Sequence, residues 1–226
     1  MVKVLLPNNT VVNLTGLKTK IKPGLMFTRE IIEKIDKGDD GAVGRYLEDM
    51  LISEGYNLNR GRGPDLFGVI DVKSRRFKSK SPMSVGTMSV DDIIKTPWAA
   101  SNIRKKAQAW FMIMWNRDGT VASADLLDLS NPMIQNSFEQ AYEACRKVII
   151  SEPKLEIQRD KDGKMISLAP APRTKKIKHN DNGFMELVSS KKNGSYKFRL
   201  RANRMQKIID LANNAETDMF SWEDIG

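Results

Sequence analysis

Pro64 and Asp65 are followed, after five intervening residues, by Asp71, one further residue, and Lys73. Val69-Ile70-Asp71-Val72-Lys73 is a short β-prone run opened by Gly68. Side chains alternate along a strand, so Asp71 and Lys73 point to one face while Ile70 and Val72 point to the other. A turn at Arg62-Gly63-Pro64 brings Asp65 beside Asp71, so that two carboxylates and an ammonium meet at one point. Paired carboxylates suit a hard divalent cation such as Mg²⁺, which takes oxygen ligands and keeps several waters. Mn²⁺ can substitute for it. The lysine can hold or help deprotonate an attacking water and balance the charge building on a phosphate. That is metal-ion catalysis of an in-line phosphodiester displacement. An Asp-x-Lys pair on a strand is, taken alone, more often a solvated charge pair, so the surrounding chain must carry the reading.

The elements around this stretch are legible from periodicity. Val2–Leu6 and Thr10–Leu14 flank Pro7-Asn8-Asn9 as a small hairpin. Thr28–Ile35 has a capping threonine and apolar residues at helical spacing. Gly41–Ile52 is a second helix with Val43, Leu47, Met50 and Leu51 on one face; Gly41, Ala42 and Gly44 permit close backbone approach. Glu48 sits beside that apolar stripe, where it can look into a cleft at the sheet edge. After the central strand, Ser74–Lys80 is rich in cations and hydroxyls and suits phosphate contacts. Ser84–Val90 returns as a paired strand, and Asp91–Lys95 is a short turn or helix. Ser101–Lys106 leads into Trp110–Trp115, a continuous apolar run of the kind found in fully buried central strands. Val121–Leu129 is a further strand, Ser130-Asn131-Pro132 a loop, and Asn136–Ile150 a long helix. Beyond it, Lys161–Lys164 is a hairpin-like turn and Ala169–Pro172 a stiff break. Phe184–Ser189 and Tyr196–Leu200 form a basic hairpin about Asn193-Gly194, a favoured turn pair. Asn203–Leu211 closes the fold as a helix. No Gly-x4-Gly-Lys-Ser/Thr loop occurs, so ATP use has no support.

Composition narrows the function. A chain of 226 residues, 40% hydrophobic and 29% charged, is that of a globular protein in one domain or one domain of two lobes. No run of about 18 apolar residues occurs, so no membrane span is expected, and Met1–Pro7 is too soon broken to be a signal peptide. The single cysteine, Cys145, excludes an internal disulfide and fits a reducing cytosol. It falls in a helix, where burial is expected rather than catalysis. One histidine, His179, excludes a His-rich zinc site or an HNH-type nuclease. The net charge of +9 is unevenly spread: residues 1–150 hold 22 Lys+Arg against 17 Asp+Glu, residues 151–208 hold 15 against 6, and residues 209–226 none against 5. The basic excess after residue 150 is what a polyanion-binding surface needs.

In this serial order the chain resembles the MutH-type branch of the PD-(D/E)xK restriction-like endonucleases. Gly41-x-x-Gly44-x-x-Leu47-Glu48 is similar to that family's helix, whose glutamate lies at the metal site. Asp65 and Gly68–Lys73 resemble its metal-binding strands, with Asp71 where MutH has Glu. Ser101-Asn102-Ile103-Arg104-Lys105-Lys106 resembles its Ser-x-x-Arg-x-Lys element, with Lys106 at the position of a lysine close to the active site. The long helix, the basic hairpin and Tyr196–Leu200 resemble the DNA-reading half. The likeness spans about residues 41–210. It departs in a Pro64-Asp65 to Asp71 spacing one residue tighter than in MutH and in a longer loop from Leu51 to Pro64.

The resemblance implies an α/β (α+β) fold with a restriction-endonuclease-like mixed central sheet flanked by helices. Residues 1–150 would hold the hairpin and catalytic core, 151–214 a basic DNA-binding lobe of the same domain, and 215–226 an acidic tail. It implies a Mg²⁺-dependent endonuclease nicking or cleaving duplex DNA in the cytoplasm. Asp65 and Asp71 hold the metal, Glu48 supports it or its water, Lys73 positions or activates the nucleophile, and Lys106 stabilises the charge on phosphorus. Arg75, Arg76, Arg104, Lys175, Lys176, Lys178, Lys191, Lys192, Lys197 and Arg199 are the expected DNA contacts. A monomer suffices to nick, whereas cutting both strands of a palindrome favours a homodimer. Two alternatives stay open: a nuclease of the same superfamily acting on branched or modified DNA, and a basic DNA-binding protein without catalysis.

Overall fold

The structure, a computed structural model, describes residues 3–5, 11–13, 15–39, 41–59, 61, 63–151, 156–159, 161, 165–169, 176–178, 184–190 and 195–214. The chain is mixed α/β, with small sheets flanked by helices. In chain order the strands are β1 (Lys3–Leu5), β2 (Val11–Asn13), β3 (Ile70–Arg76), β4 (Met83–Ser89), β5 (Ala109–Trp115), β6 (Val121–Asp128), β7 (Glu156–Arg159), β8 (Met165–Ala169), β9 (Lys176–Lys178), β10 (Met185–Ser190) and β11 (Ser195–Leu200). The helices are α1 (Thr15–Lys20), α2 (Arg29–Asp36), α3 (Ala42–Ser53), α4 (Val90–Lys95), α5 (Asn102–Lys106), α6 (Pro132–Ser151) and α7 (Met205–Asn214). Among the described residues no helix is long and apolar enough to cross a membrane.

The chain divides into two compact units. The first comprises residues 1–79, 108–131 and 209–226, the second residues 80–107 and 132–208.

The first unit is built on a three-stranded sheet in the order β3-β5-β6. β3 runs parallel to β5, and β6 antiparallel to it, so the sheet is mixed. The apolar run Trp110–Trp115 takes the central position its composition calls for, and Trp110, Phe111, Met112 and Ile113 are all buried. Register sets Ile70 beside Ala109 and Val72 beside Phe111. These residues join Val43, Leu47 and Leu51 of α3 and Ile31 and Ile35 of α2 in one core. Each such aliphatic side chain contributes about 1.5–3 kcal/mol through burial. The period of three and four that puts Val43, Leu47 and Leu51 inward leaves Glu48 half-buried at the edge of the stripe. β1 and β2 pair as the expected antiparallel hairpin.

The second unit holds an antiparallel sheet in the order β4-β11-β10-β9 and the separate pair β7-β8. The basic hairpin is β10-β11, with Leu187 opposite Phe198; its turn, residues 191–194, lies outside the described residues. Trp98, Phe138, Tyr142, Phe184 and Phe198 form its aromatic core, Tyr142 stacking on Phe198 at 5.1 Å. Buried Cys145 lies on α6.

Four expectations need correction. The strands do not form one central sheet but separate small ones. β4 does pair, but with β11 rather than with its neighbour in sequence. Thr28 stands at the N-cap of α2 without a side-chain cap; its carbonyl instead accepts from the N–H groups of Ile31 and Ile32. The loop at Ser130–Pro132 ends one residue sooner than expected, because Pro132 is the first residue of α6, where its fixed φ suits a helix start.

Candidate active site

Asp65 reaches β3 through a tight turn. The chain reverses at Leu66–Ile70, where Leu66 and Ile70 exchange backbone hydrogen bonds of 2.8 and 3.0 Å. Phe67 and Gly68 take φ of 52° and 75°, a left-handed pair that is easy for glycine and costly for a bulky residue. The reversal returns Asp65 to the edge of the strand that follows. Its Oδ2 accepts a 2.8 Å hydrogen bond from the backbone N–H of Val72, the residue between Asp71 and Lys73. The carboxylate thus does for that amide what a neighbouring strand would do. Asn59 steadies the same loop, donating its N–H to the Asp65 carbonyl at 2.8 Å and accepting from Gly61 N–H through Oδ1.

Asp65 also lines a cleft of about 500 Å³ in the first unit, with Arg45, Glu48, Asp49, Leu58, Asn59 and Gly61. The ligand-type groups in it are carboxylates, a donor set for hard divalent cations rather than for soft metals. Glu48, from α3, and Asp65, from the turn before β3, thus line the same cleft.

Asp71 and Lys73 share a strand face, as alternation requires. The Lys73 ammonium lies 2.5 Å from Asp71 Oδ2, an ion pair with side chains 14% and 0% exposed. It is a charge contact without the alignment of a directed hydrogen bond to that oxygen. Neither residue lines the cleft. The reason is geometric: backbone N–H groups lie in the sheet plane, whereas side chains leave it at right angles. Asp65 binds in the plane, at the strand edge; Asp71 and Lys73 stand on the face. Among the described residues no three His, Cys, Asp or Glu side chains converge to hold an ion. Mg²⁺ needs one or two carboxylates with waters and substrate phosphate, and the Glu48–Asp65 cleft offers that chemistry.

Lys106 belongs to the second unit, at the end of α5. The buried Ser101 caps this helix, its Oγ accepting from Arg104 N–H at 3.0 Å. α5 packs on β4 at Gly86, where an added Cβ would lie 2.8 Å from Ile103 Cδ1 and 3.6 Å from Lys106 Cδ. The close approach that carries Lys106 thus depends on a missing side chain.

The expected DNA contacts fall into groups. Arg76 is exposed. Arg75 is half-buried, and its guanidinium donates to the Ser79 carbonyl, closing the turn after β3; burial lowers its pKa. Exposed Arg104 donates to the Ala99 carbonyl at 3.2 Å. Lys197 is exposed on β11. Arg199 is compensated inside the protein by buried Glu186, at 2.5 Å. Lys176 and Lys178 lie on β9. Lys175, Lys191 and Lys192 lie outside the described residues.

Sequence reasoning missed Arg45, Asp49 and Asn59 as cleft residues. Arg45 was findable: it precedes Glu48 by three positions, so the two share a helix face. Asn59 carries only the weaker signal of an Asx turn in a Gly-rich loop.

No protein-family model matches the chain, and no curated protein matches it by sequence.

Proposed function

We propose that the chain is a Mg²⁺-dependent endonuclease of duplex DNA, built on a restriction-endonuclease-like catalytic unit. One observation carries the reading: the 2.8 Å bond from Val72 N–H to Asp65 Oδ2. It joins the Pro-Asp carboxylate to the middle of the Asp-x-Lys segment, two motifs otherwise related only by order along the chain. The shared cleft of Glu48 and Asp65 adds the second carboxylate.

Glu48 and Asp65 would hold the ion, which would polarise the phosphate and acidify a bound water. Asp65 is anchored for this by the Val72 amide, so its carboxylate does not have to be ordered when substrate arrives. Asp71 fixes the direction of the Lys73 ammonium through their 2.5 Å ion pair. Lys73 offsets charge building on the phosphate, and its 14% exposure strengthens that interaction over one in bulk water. Exposed Lys197 on β11 supplies sequence-independent attraction for the duplex, Arg199 beside it being compensated by Glu186.

The test is incubation of the full-length protein with supercoiled plasmid and with a defined linear duplex, with and without Mg²⁺ or Mn²⁺. Metal-dependent conversion to nicked or linear product is expected, and its loss in Glu48→Gln. Absence of cleavage with either metal overturns the proposal. Cleavage of a four-way junction alone would move it to branched DNA.

A further inference from the structure

We infer that Arg45 is the residue through which the cleft grips a backbone phosphate of its nucleic acid, and that Asp39 holds its guanidinium in place for that purpose. This rests on the nuclease reading above. Glu48, Asp49 and Asp65 give the cleft three carboxylates, and Arg45 lies among them. A phosphodiester entering such a cleft meets repulsion unless a cation receives it. Arginine suits that task, because its planar fork of five donors matches two phosphate oxygens at once.

Helix stability gives no reason for an arginine here. Arg45 is the fourth residue of α3, which begins at Ala42. The helix N-terminus carries partial positive charge and favours acids over bases. Its ion pair with Asp39 joins side chains 61% and 43% exposed, and exposed pairs contribute little to stability.

The guanidinium nevertheless has a defined partner at the helix start. Arg45 Nη2 pairs with Asp39 Oδ2, while Asp39 Oδ1 accepts from Gly41 N–H at 3.2 Å. Asp39 is thereby tied to the helix start. An added Cβ at position 41 would lie 2.9 Å from Arg45 Nη1, so the guanidinium lies over the backbone at the helix start. One Nη engaged by Asp39 leaves further donors of the fork for a phosphate.

The experiment measures binding of the full-length protein to a fluorescent duplex of about two helical turns, without divalent metal, over a series of salt concentrations. For Arg45→Ala the slope of log K against log salt should be shallower by about 0.9, one phosphate's worth. Arg45→Lys should keep the parental slope and bind more weakly, since it retains the charge and loses the fork. Asp39→Ala should also keep the slope yet bind several-fold more weakly, although removing a negative charge would by itself tighten binding. A parental slope in Arg45→Ala, or tighter binding by Asp39→Ala, overturns the inference. If the parental protein shows salt-dependent binding and metal-dependent cleavage in that case, the nuclease reading stands without it. If the parental protein neither binds nor cleaves, both fall.

Discussion

Replacing Asp65 separates its anchoring bond to Val72 from its proposed role as a metal ligand, because alanine and asparagine remove different things. Asp65→Ala deletes the acceptor of the 2.8 Å bond from Val72 N–H and leaves a half-buried amide unpaired. A hydrogen bond to a charged acceptor contributes about 1.5–3 kcal/mol, and an orphaned buried donor costs about 1–3 kcal/mol. Partial exposure of the site places the alanine variant in the lower half, about 1–2 kcal/mol. Asp65→Asn keeps a carbonyl oxygen for the amide, and a neutral bond contributes about 0.5–1.5 kcal/mol, so the asparagine variant should lose about 1 kcal/mol or less. Urea unfolding with a slope on the order of 2 kcal/mol/M turns these into midpoint shifts of about 0.5–1 M and under about 0.5 M. Cleavage should behave differently. Both variants would lose the proposed ionic ligand, so both should fall by about 10²–10³-fold, the scale for deleting one preorganised group at a reacting centre. Asparagine should therefore restore the fold and not the activity. Asp65→Asn that cuts at the parental rate would refute the ligand role. Asp65→Asn as destabilised as Asp65→Ala would refute the anchoring role.

Lys73→Met should abolish cleavage and destabilise the first unit by about 3–5 kcal/mol, since it strips the ammonium from fully buried Asp71; urea unfolding should show most of that loss recovered when Asp71→Asn is added. Burial pushes the Cys145 thiol up to about 12, Arg201 opposing only in part, so an aromatic disulfide reagent at pH 8 should react only as fast as the protein unfolds, and rapid reaction of the native protein would contradict burial. Burial also raises the Asp128 carboxyl above the ordinary aspartate range, against the hydrogen bonds from Ser130. The folded state then holds the proton more tightly, so stability should fall as pH rises from the ordinary aspartate value through the raised one. Asp128→Asn keeps an acceptor for Ser130 N–H, and its advantage over the parental protein should grow from acid to neutral pH and then level off; a constant difference would refute the linkage.

Elements were legible in the sequence where the signal is local. The run Trp110–Trp115 has no polar side, and it is the central strand of its sheet. Val43, Leu47 and Leu51 repeat at helical spacing, and all are buried. Asn193-Gly194 between β-prone runs marked the β10-β11 pair. Partners were less legible, because strand pairing is a property of chain segments far apart. Ser84–Val90 reads as a strand, but nothing in it names β11 as its neighbour, with Tyr196 opposite Met88. Nor does a threonine before a helix say whether its hydroxyl will cap the first amides. At Thr28 it does not.

The site divides along the same line. Alternation correctly put Asp71 and Lys73 on one face, since it depends on two adjacent peptide units. Convergence of Asp65 with Asp71 required knowing how the turn at Leu66–Ile70 delivers the upstream chain. Phe67 occupies a left-handed conformation that its side chain disfavours, and propensity alone would not assign that turn to a phenylalanine. The strained turn sets Asp65 against the edge of β3, in the plane of the sheet, one peptide from two side chains that leave that plane. Asp65 Oδ2 is therefore held at the Val72 amide, one residue along the strand from Lys73. The motif's spacing fixes which backbone amide Asp65 can reach, and through that amide its distance from the lysine. Lengthening the turn by one residue would move Asp65 off Val72 while leaving every candidate side chain present.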